Sequence, residues 1–247
     1  MSRPVVVAHR GLQRLYPENT RASVRAALDA GLGHVEIDVQ MSADGVPVLH
    51  HDADLARLCG RPGDLRRLPW SRLRRLAVPE SGRFGRRYAS ERLASLEELA
   101  AELAGRPAFT LFVELKEESL KPFGRERMLA AVAAALRPIH ARCVLISFDL
   151  PVLSLARQAT RFRVGPVLRG LGQLKLPALR ALRPDWVFCS STLLPRRGRL
   201  DRLFGRARGC VYEVPEAAKA RALFGRGLHA VETFRADSLA QELALYR

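Results

Sequence analysis

Val5 to Ala8 are four apolar residues in a row, and they run straight into His9, Arg10 and Gly11. An apolar run closed by glycine reads as a buried strand and its end. The tip of that strand delivers an imidazole and a guanidinium to one point. Imidazole moves protons near neutral pH, and the planar guanidinium fork suits phosphate oxygens. Glu36 and Asp38 form a second group, alternating with Val35, Ile37 and Val39. On a strand both carboxylates then share one face and the apolar side chains share the other. Two such carboxylates repel each other and are costly to bury, and a divalent cation removes that cost. Val46 to Leu49 leads to another imidazole-bearing tip, His50-His51-Asp52. Each group also has a bland counterpart: a polar turn at His9, and the solvent-facing side of an amphipathic strand at Glu36 and Asp38.

Together these groups resemble the glycerophosphodiester phosphodiesterase family. The resemblance lies in the HRG of His9 to Gly11, the PENT of Pro17 to Thr20 and the E-x-D of Glu36 and Asp38. It continues in the turn Asp44-Gly45, the HD of His51-Asp52, the helix start Ser95-Leu96-Glu97-Glu98 and the E-x-K of Glu114-Leu115-Lys116. Residues 5–150 carry it well and the remainder weakly. The resemblance implies two catalytic histidines, His9 and His51. It also implies three metal carboxylates, Glu36, Asp38 and Glu114, with Arg10 and Lys116 on the phosphate. Glu18 and Asn19 would organise the site. The implied reaction is metal-dependent hydrolysis of glycerophosphodiesters to sn-glycerol 3-phosphate and an alcohol. Hard oxygen ligands without a cysteine cluster select Mg²⁺ or Ca²⁺ over Zn²⁺. Outside this context, Glu114 and Lys116 would read as a surface ion pair on a strand edge. His34, His50, His140 and His229 match no motif and read as surface or packing residues.

The elements that must hold these groups follow from periodicity. Strands are expected near 5–9, 35–39, 109–115, 143–148, 162–168, 186–190, 209–214 and 230–233. Helices are expected near 20–30, 95–104, 126–136, 151–159, 176–182, 198–204, 216–224 and 237–246. Strand–helix alternation of this kind predicts an α/β fold, a (β/α)8 TIM barrel with its active site at the C-terminal strand ends. His9, Glu36, Asp38 and Glu114 fall at those ends. Residues 45–92 are irregular and rich in Gly, Pro and Arg. They read as a small insertion after the second strand, over the barrel mouth.

The 247 residues, 48% of them hydrophobic, suffice for one barrel domain. No apolar run approaches the roughly 18 residues of a membrane span. The first strand is expected to begin at about Pro4, which leaves no room for a signal peptide. Cys59, Cys143, Cys189 and Cys210 lack metal or redox spacing and read as reduced, mostly buried thiols. These features together predict the cytoplasm. Basic residues outnumber acidic ones 41 to 25, for a net charge of +16. Apart from Lys116, Lys121, Lys175 and Lys219 the basic residues are arginine. A solvated arginine-rich surface explains this, as does attraction of an anionic substrate or membrane surface.

The chain departs from the family pattern at two strand ends. Tyr212-Glu213-Val214-Pro215 stands where the family has W-T-V-N, and Thr233-Phe234 where it has T-D. Tyr212 and Glu213 are therefore candidate pocket residues. Glu213 would favour a cationic headgroup such as choline or ethanolamine, unless it pairs with an arginine. The expected partner is a small-molecule diester, with at most weak electrostatic contact to a membrane surface. Oligomeric state is not readable. One alternative keeps the site and gives a lysophospholipase D-like reaction at a membrane. Another is a barrel that binds nucleic acid or another polyanion; no specific nucleic acid is expected, because recognition motifs are missing and few aromatics interleave the basic runs.

Overall fold

The computed structural model describes residues 4–244. Its strands are β1 (Val5–Ala8), β2 (His34–Met41), β3 (Pro47–Leu49), β4 (Thr110–Leu115), β5 (Cys143–Ser147), β6 (Arg163–Leu168), β7 (Trp186–Ser190), β8 (Arg208–Tyr212) and β9 (Ala230–Thr233). All but β3 run parallel, in the order β1-β2-β4-β5-β6-β7-β8-β9. β9 pairs back onto β1, with Val5 opposite Ala230 and Ala8 opposite Thr233, and so closes the barrel. β3 adds antiparallel to the far end of β2, with Val39 opposite Leu49.

Strand alternation builds two apolar layers. Val7, Phe112, Val144, Ile146, Val167, Trp186, Phe188, Cys210 and Ala230 fill the barrel interior. Val6, Ala8, Val35, Ile37, Leu111 and Val113 point outward and pack under the helices. Phe112 meets Trp186 and Phe188 edge-on at 5.0 and 5.1 Å, an arrangement worth about 0.5–1.5 kcal/mol per pair beyond area burial. The same alternation carries the inward series on β2 up to Glu36 and Asp38, and on β4 up to Glu114 and Lys116. Polar groups thus cap an apolar barrel core at the C-terminal strand ends. Cys143, Cys189 and Cys210 are buried, and Cys59 is half-buried.

The expected helices form over Arg21–Asp29, Leu96–Leu103, Arg125–Ala135, Leu150–Ala159, Pro177–Leu182 and Ala217–Gly225. The last one runs Ala236–Glu242 and ends where Ala244 turns to φ 54°; positions 245–246 of that expectation lie outside the described residues. The helix expected at 198–204 does not form. Gly198 and Gly205 bound the stretch with positive φ. Arg226 from the following connection holds the carbonyls of Pro195, Arg197 and Gly198, and Leu200 N–H donates to the Arg226 carbonyl. Arg226 thus engages Gly198 and Leu200 from outside, while Leu203 N–H closes only a turn onto the Leu200 carbonyl. A helix over Glu117–Phe123 was not anticipated; it starts directly after Lys116. Among the described residues no helix is long and apolar enough to cross a membrane.

Residues 45–92 make short helical turns around a core of their own, in which Val48, Leu55, Leu58, Leu65, Leu73 and Val78 are buried. This unit is fastened to the loop that follows β1. Arg83 donates to the Gln13 carbonyl at 2.6 Å, Arg57 to Glu18 at 2.8 Å, and Tyr88 Oη to the Leu15 carbonyl. It therefore sits at the C-terminal face of the barrel.

Candidate active site

At the end of β1 the chain turns sharply. Arg10 and Gly11 both take positive φ, 58° and 80°. A Cβ at position 11 would come within 2.7 Å of the Ser23 backbone, so glycine is required by conformation and by space. The turn folds onto the helix at Arg21, whose first turn is closed by a Thr20–Ser23 capping box. Asn19 N–H and Ser23 Oγ–H both donate to the Arg10 carbonyl. Asn19 also clasps Asp38: its side-chain N–H donates to Asp38 Oδ2 at 2.9 Å, and its oxygen accepts Asp38 N–H at 2.9 Å. Glu18 is buried and accepts from Gln13, Arg57 and Arg10 at 2.6, 2.8 and 2.9 Å. Asn19 thus lies against Asp38, and Glu18 against Arg10.

Burial would raise the Glu18 carboxyl, but the Arg57 hydrogen bond and the Arg10 charge hold it below the usual carboxylate range. A lowered folded value means its stabilisation is complete above the ordinary carboxylate pKa of about 4.3 and is lost as pH falls through the folded value. Glu18→Gln is expected to lower the melting temperature at neutral pH and to flatten its acid-side decline. Thermal unfolding across pH checks this; an unchanged acid slope would place the stabilising charge elsewhere.

Asp38 and Glu114 are register partners on β2 and β4. With Glu36 they bring carboxylate oxygens within 4.8 Å of one another. Lys116 Nζ lies 2.9 Å from Glu114 Oε1 and 3.3 Å from Asp38 Oδ1. Arg10 N–H donates to Glu36 Oε2 at 3.1 Å. Arg10 Nε lies 3.1 Å from Asp38 Oδ2 but is misaligned for a hydrogen bond, so that contact is charge against charge. Burial and then the charges of Asp38, Glu232 and Glu114 push the Glu36 carboxyl well up. Burial also raises Glu114, despite Lys116. Asp38 goes the other way: against burial, Lys116 and Arg10 hold it well below the carboxylate range. The cluster is thus short of positive charge. Its donors are hard oxygens, which fit a cation of the Mg²⁺ or Ca²⁺ type.

His9 and His51 reach the same cavity, of about 130 Å³, which the three carboxylates, Arg10 and Lys116 also line. Each histidine is backed through Nδ1 by a carboxylate, His51 by Asp52 at 2.7 Å and His9 by Glu213 at 3.1 Å. His9 stacks on Phe234 with ring centres 4.4 Å apart and planes 10° apart. Burial lowers the His9 pKa, but Glu232 and the Glu213 hydrogen bond overcome this and leave it raised. His50 is fully buried with Nδ1 on the Asp52 carbonyl at 2.6 Å and does not line the cavity. His34 packs near Phe112 and Trp186, and burial draws its pKa down to about 4. His140 lies edge-on to Phe162, and His229 Nδ1 accepts Gly209 N–H. Ile146, Phe148, Val167, Phe188 and Tyr212 make the other side of the cavity, so a charged wall faces an apolar one.

Two features depart from the sequence reading. Tyr212 lines the cavity, and the carboxylate of Glu213, which lines the neighbouring cleft, is engaged by His9 and Phe234 rather than by an arginine among the described residues. Its Oε2 meets His9 and its Oε1 accepts Phe234 N–H at 2.8 Å. Glu232 went unanticipated. It is buried in β9, within 4.8 Å of His9 and Glu36 ligand atoms, and its Oε1 has no hydrogen-bond partner. Burial, opposed by His9, pushes its pKa up to about 7. The signal was available: Glu232 is a lone charge in the short strand Ala230-Val231-Glu232-Thr233, in the inward phase of that strand. A larger cleft of about 800 Å³ adjoins the cavity beside Glu213 and Phe234 and is rimmed by Arg14, Arg57, Arg83 and Arg235.

The sequence model of the glycerophosphoryl diester phosphodiesterase family matches residues 9–196. Among curated relatives, the chain is 34% identical over 115 residues to glycerophosphodiester phosphodiesterase 1 of Bos taurus, which covers 47% of this chain and 34% of that protein. It is 32% identical over 130 residues to the glycerophosphodiester phosphodiesterase of Caldanaerobacter subterraneus subsp. tengcongensis, 52% of each. The matched stretch thus spans between about a third and about half of these relatives' lengths. The fold is shared with a phosphodiesterase of Oleispira antarctica, solved in complex with the product sn-glycerol-3-phosphate (TM-score 0.84, 24% identity, 98% of this chain and 97% of that one). It is shared too with the glycerophosphodiester phosphodiesterase of Agrobacterium tumefaciens (TM-score 0.78, 24% identity, 97% and 100%).

Proposed function

The chain belongs to the glycerophosphoryl diester phosphodiesterase family, and from that premise we propose that it hydrolyses glycerophosphodiesters to sn-glycerol 3-phosphate and an alcohol with the help of a divalent cation. One observation carries the reading: two carboxylate-backed histidines, a carboxylate triad and two fixed cations line a single cavity.

Arg10 and Lys116 bind the phosphate, Arg10 through its planar fork and Lys116 as a point charge. Glu36, Asp38 and Glu114 would hold Mg²⁺ or Ca²⁺, and the ion would neutralise phosphoryl charge and favour the ionised form of a hydroxyl or water. His9 and His51 come from different loops. One removes the proton of the attacking oxygen and the other supplies the proton that the leaving alkoxide needs. The apolar wall from Ile146 to Tyr212 excludes water from the far side of the cavity. The chain acts as one barrel domain with residues 45–92 as its cap, and buried unpaired thiols suit a reducing compartment such as the cytoplasm. Among the described residues Leu176 is the only large apolar side chain that stands exposed, which favours dissolved deacylated diesters over membrane-embedded ones.

The test is a panel of glycerophosphodiesters and lysophospholipids incubated with the chain plus Mg²⁺, Ca²⁺ or chelator. Release of sn-glycerol 3-phosphate, abolished by chelator, is expected. Failure to cleave any diester under all conditions would overturn the reading.

A further inference from the structure

Glu213 stands at a place where the chain departs from its family's pattern, and both its carboxylate oxygens are used. Oε1 accepts Phe234 N–H at 2.8 Å, and Oε2 lies 3.1 Å from His9 Nδ1. Phe234 itself stacks on the His9 ring. On the other side of that ring system, His9 Nε2 lies 3.9 Å from Glu36 Oε2, facing the cavity. We propose that Glu213 is a positioning residue for the hydrolysis: it fixes His9 with its proton on Nδ1 and so presents a bare Nε2 to the reacting oxygen. The proposal rests on the phosphodiesterase reading above.

The argument is one of donors and acceptors. A backbone N–H can only donate, so Phe234 N–H requires an acceptor and takes one Glu213 oxygen. The remaining oxygen is also an acceptor, so the facing His9 nitrogen must carry a hydrogen. In the neutral ring this leaves the lone pair on Nε2. Nε2 can then take the proton of the attacking O–H, after which the ring holds protons on both nitrogens and the Glu213 carboxylate still accepts from Nδ1. Stacking on Phe234 holds the plane of the ring, and the Glu213 contact sets which nitrogen lies on its carboxylate. Asp52 stands in the same relation to His51, but it is the next residue along the chain. Glu213 reaches His9 across the closure of the barrel.

Glu213→Gln separates this role from simple filling of space. Phe234 N–H will claim the amide oxygen, so the amide NH2 turns to His9 and donates to Nδ1. That forces the proton to Nε2, the wrong nitrogen for accepting one from substrate. The ¹⁵N shifts of labelled His9, identified by the signals lost in His9→Gln and read where the ring is neutral, report the tautomer directly. Nδ1–H is expected in the parent and Nε2–H in Glu213→Gln. In the same variant kcat is expected to fall by about 10²-fold or more, with KM within about threefold and the melting temperature close to the parent's. Glu213→Asp restores two acceptors and is expected to recover part of kcat. An Nδ1–H tautomer retained in Glu213→Gln would overturn the proposal. So would a changed tautomer with unchanged kcat, or a loss confined to KM. If the parent cleaves no glycerophosphodiester, the functional reading falls, while the ¹⁵N comparison still decides what Glu213 does to His9.

Discussion

His9→Ala and His51→Ala are each expected to lower turnover by about 10²-fold or more while leaving divalent-cation binding, measured calorimetrically, in place. The two effects separate because the histidines and the carboxylate triad are different groups in one cavity. Removing an imidazole takes away a proposed proton carrier but none of the hard oxygens of Glu36, Asp38 and Glu114. His50→Ala is the control for register. Its ring is buried on the Asp52 carbonyl, so its loss should cost stability, about 1–3 kcal/mol for a buried hydrogen-bonded group, with a much smaller effect on turnover. If His50→Ala abolished turnover and His51→Ala did not, the assignment of the second proton carrier would be wrong.

The second large effect concerns charge. Glu36, Asp38, Glu114 and Glu232 converge at one end of the barrel, where Arg10 pairs with Asp38 and Lys116 with Asp38 and Glu114. Burial and mutual repulsion already push the Glu36 carboxyl well up. An added divalent cation should therefore raise the melting temperature of the parent. At about a hundredfold excess over Kd the linkage is worth about 2.7 kcal/mol. Glu36→Gln removes the cost of either ionising or protonating a buried carboxyl there and keeps an acceptor for Arg10 N–H. Without added ions it should melt higher than the parent, yet it should lose the ion-dependent gain and nearly all turnover. A parent protein whose melting is indifferent to Mg²⁺ and Ca²⁺ would remove the triad as a cation site. Raised stability together with lost activity is what distinguishes a functional carboxylate from a structural one.

Most of the site was legible because its chemistry is written in short local patterns. Glu36 and Asp38 share a strand face by simple alternation, and His9 and Arg10 follow an unbroken apolar run. Those signals need no knowledge of the rest of the chain. Glu232 was not legible in the same way, because a single charge in a short strand looks like a strand end until the strand is known to face inward. Glu213 could be placed near the mouth, but its partner His9 lies 204 positions away, and no local pattern names that partner. The helix expected at 198–204 failed for a related reason. Its composition permits a helix, and it is Arg226, acting from outside, that holds the Gly198 carbonyl and the two carbonyls just before it, Pro195 and Arg197.

The closure of β9 onto β1 also sets an order of events in time. The triad of Glu36, Asp38 and Glu114, with Lys116 and His51, is encoded within the first half of the chain. The groups that hold His9, namely Glu213, Glu232 and Phe234, arrive only with the last strands. A chain emerging residue by residue from the ribosome has therefore made its carboxylate triad well before the residues that contact its first histidine. The contacts completing the second half span most of the sequence, and such distant pairings form slowly because they must close a long loop. On the proposed reading, the set of groups around His9 is complete only when β9 meets β1, so partly made or partly folded forms of the barrel are expected to lack hydrolytic activity.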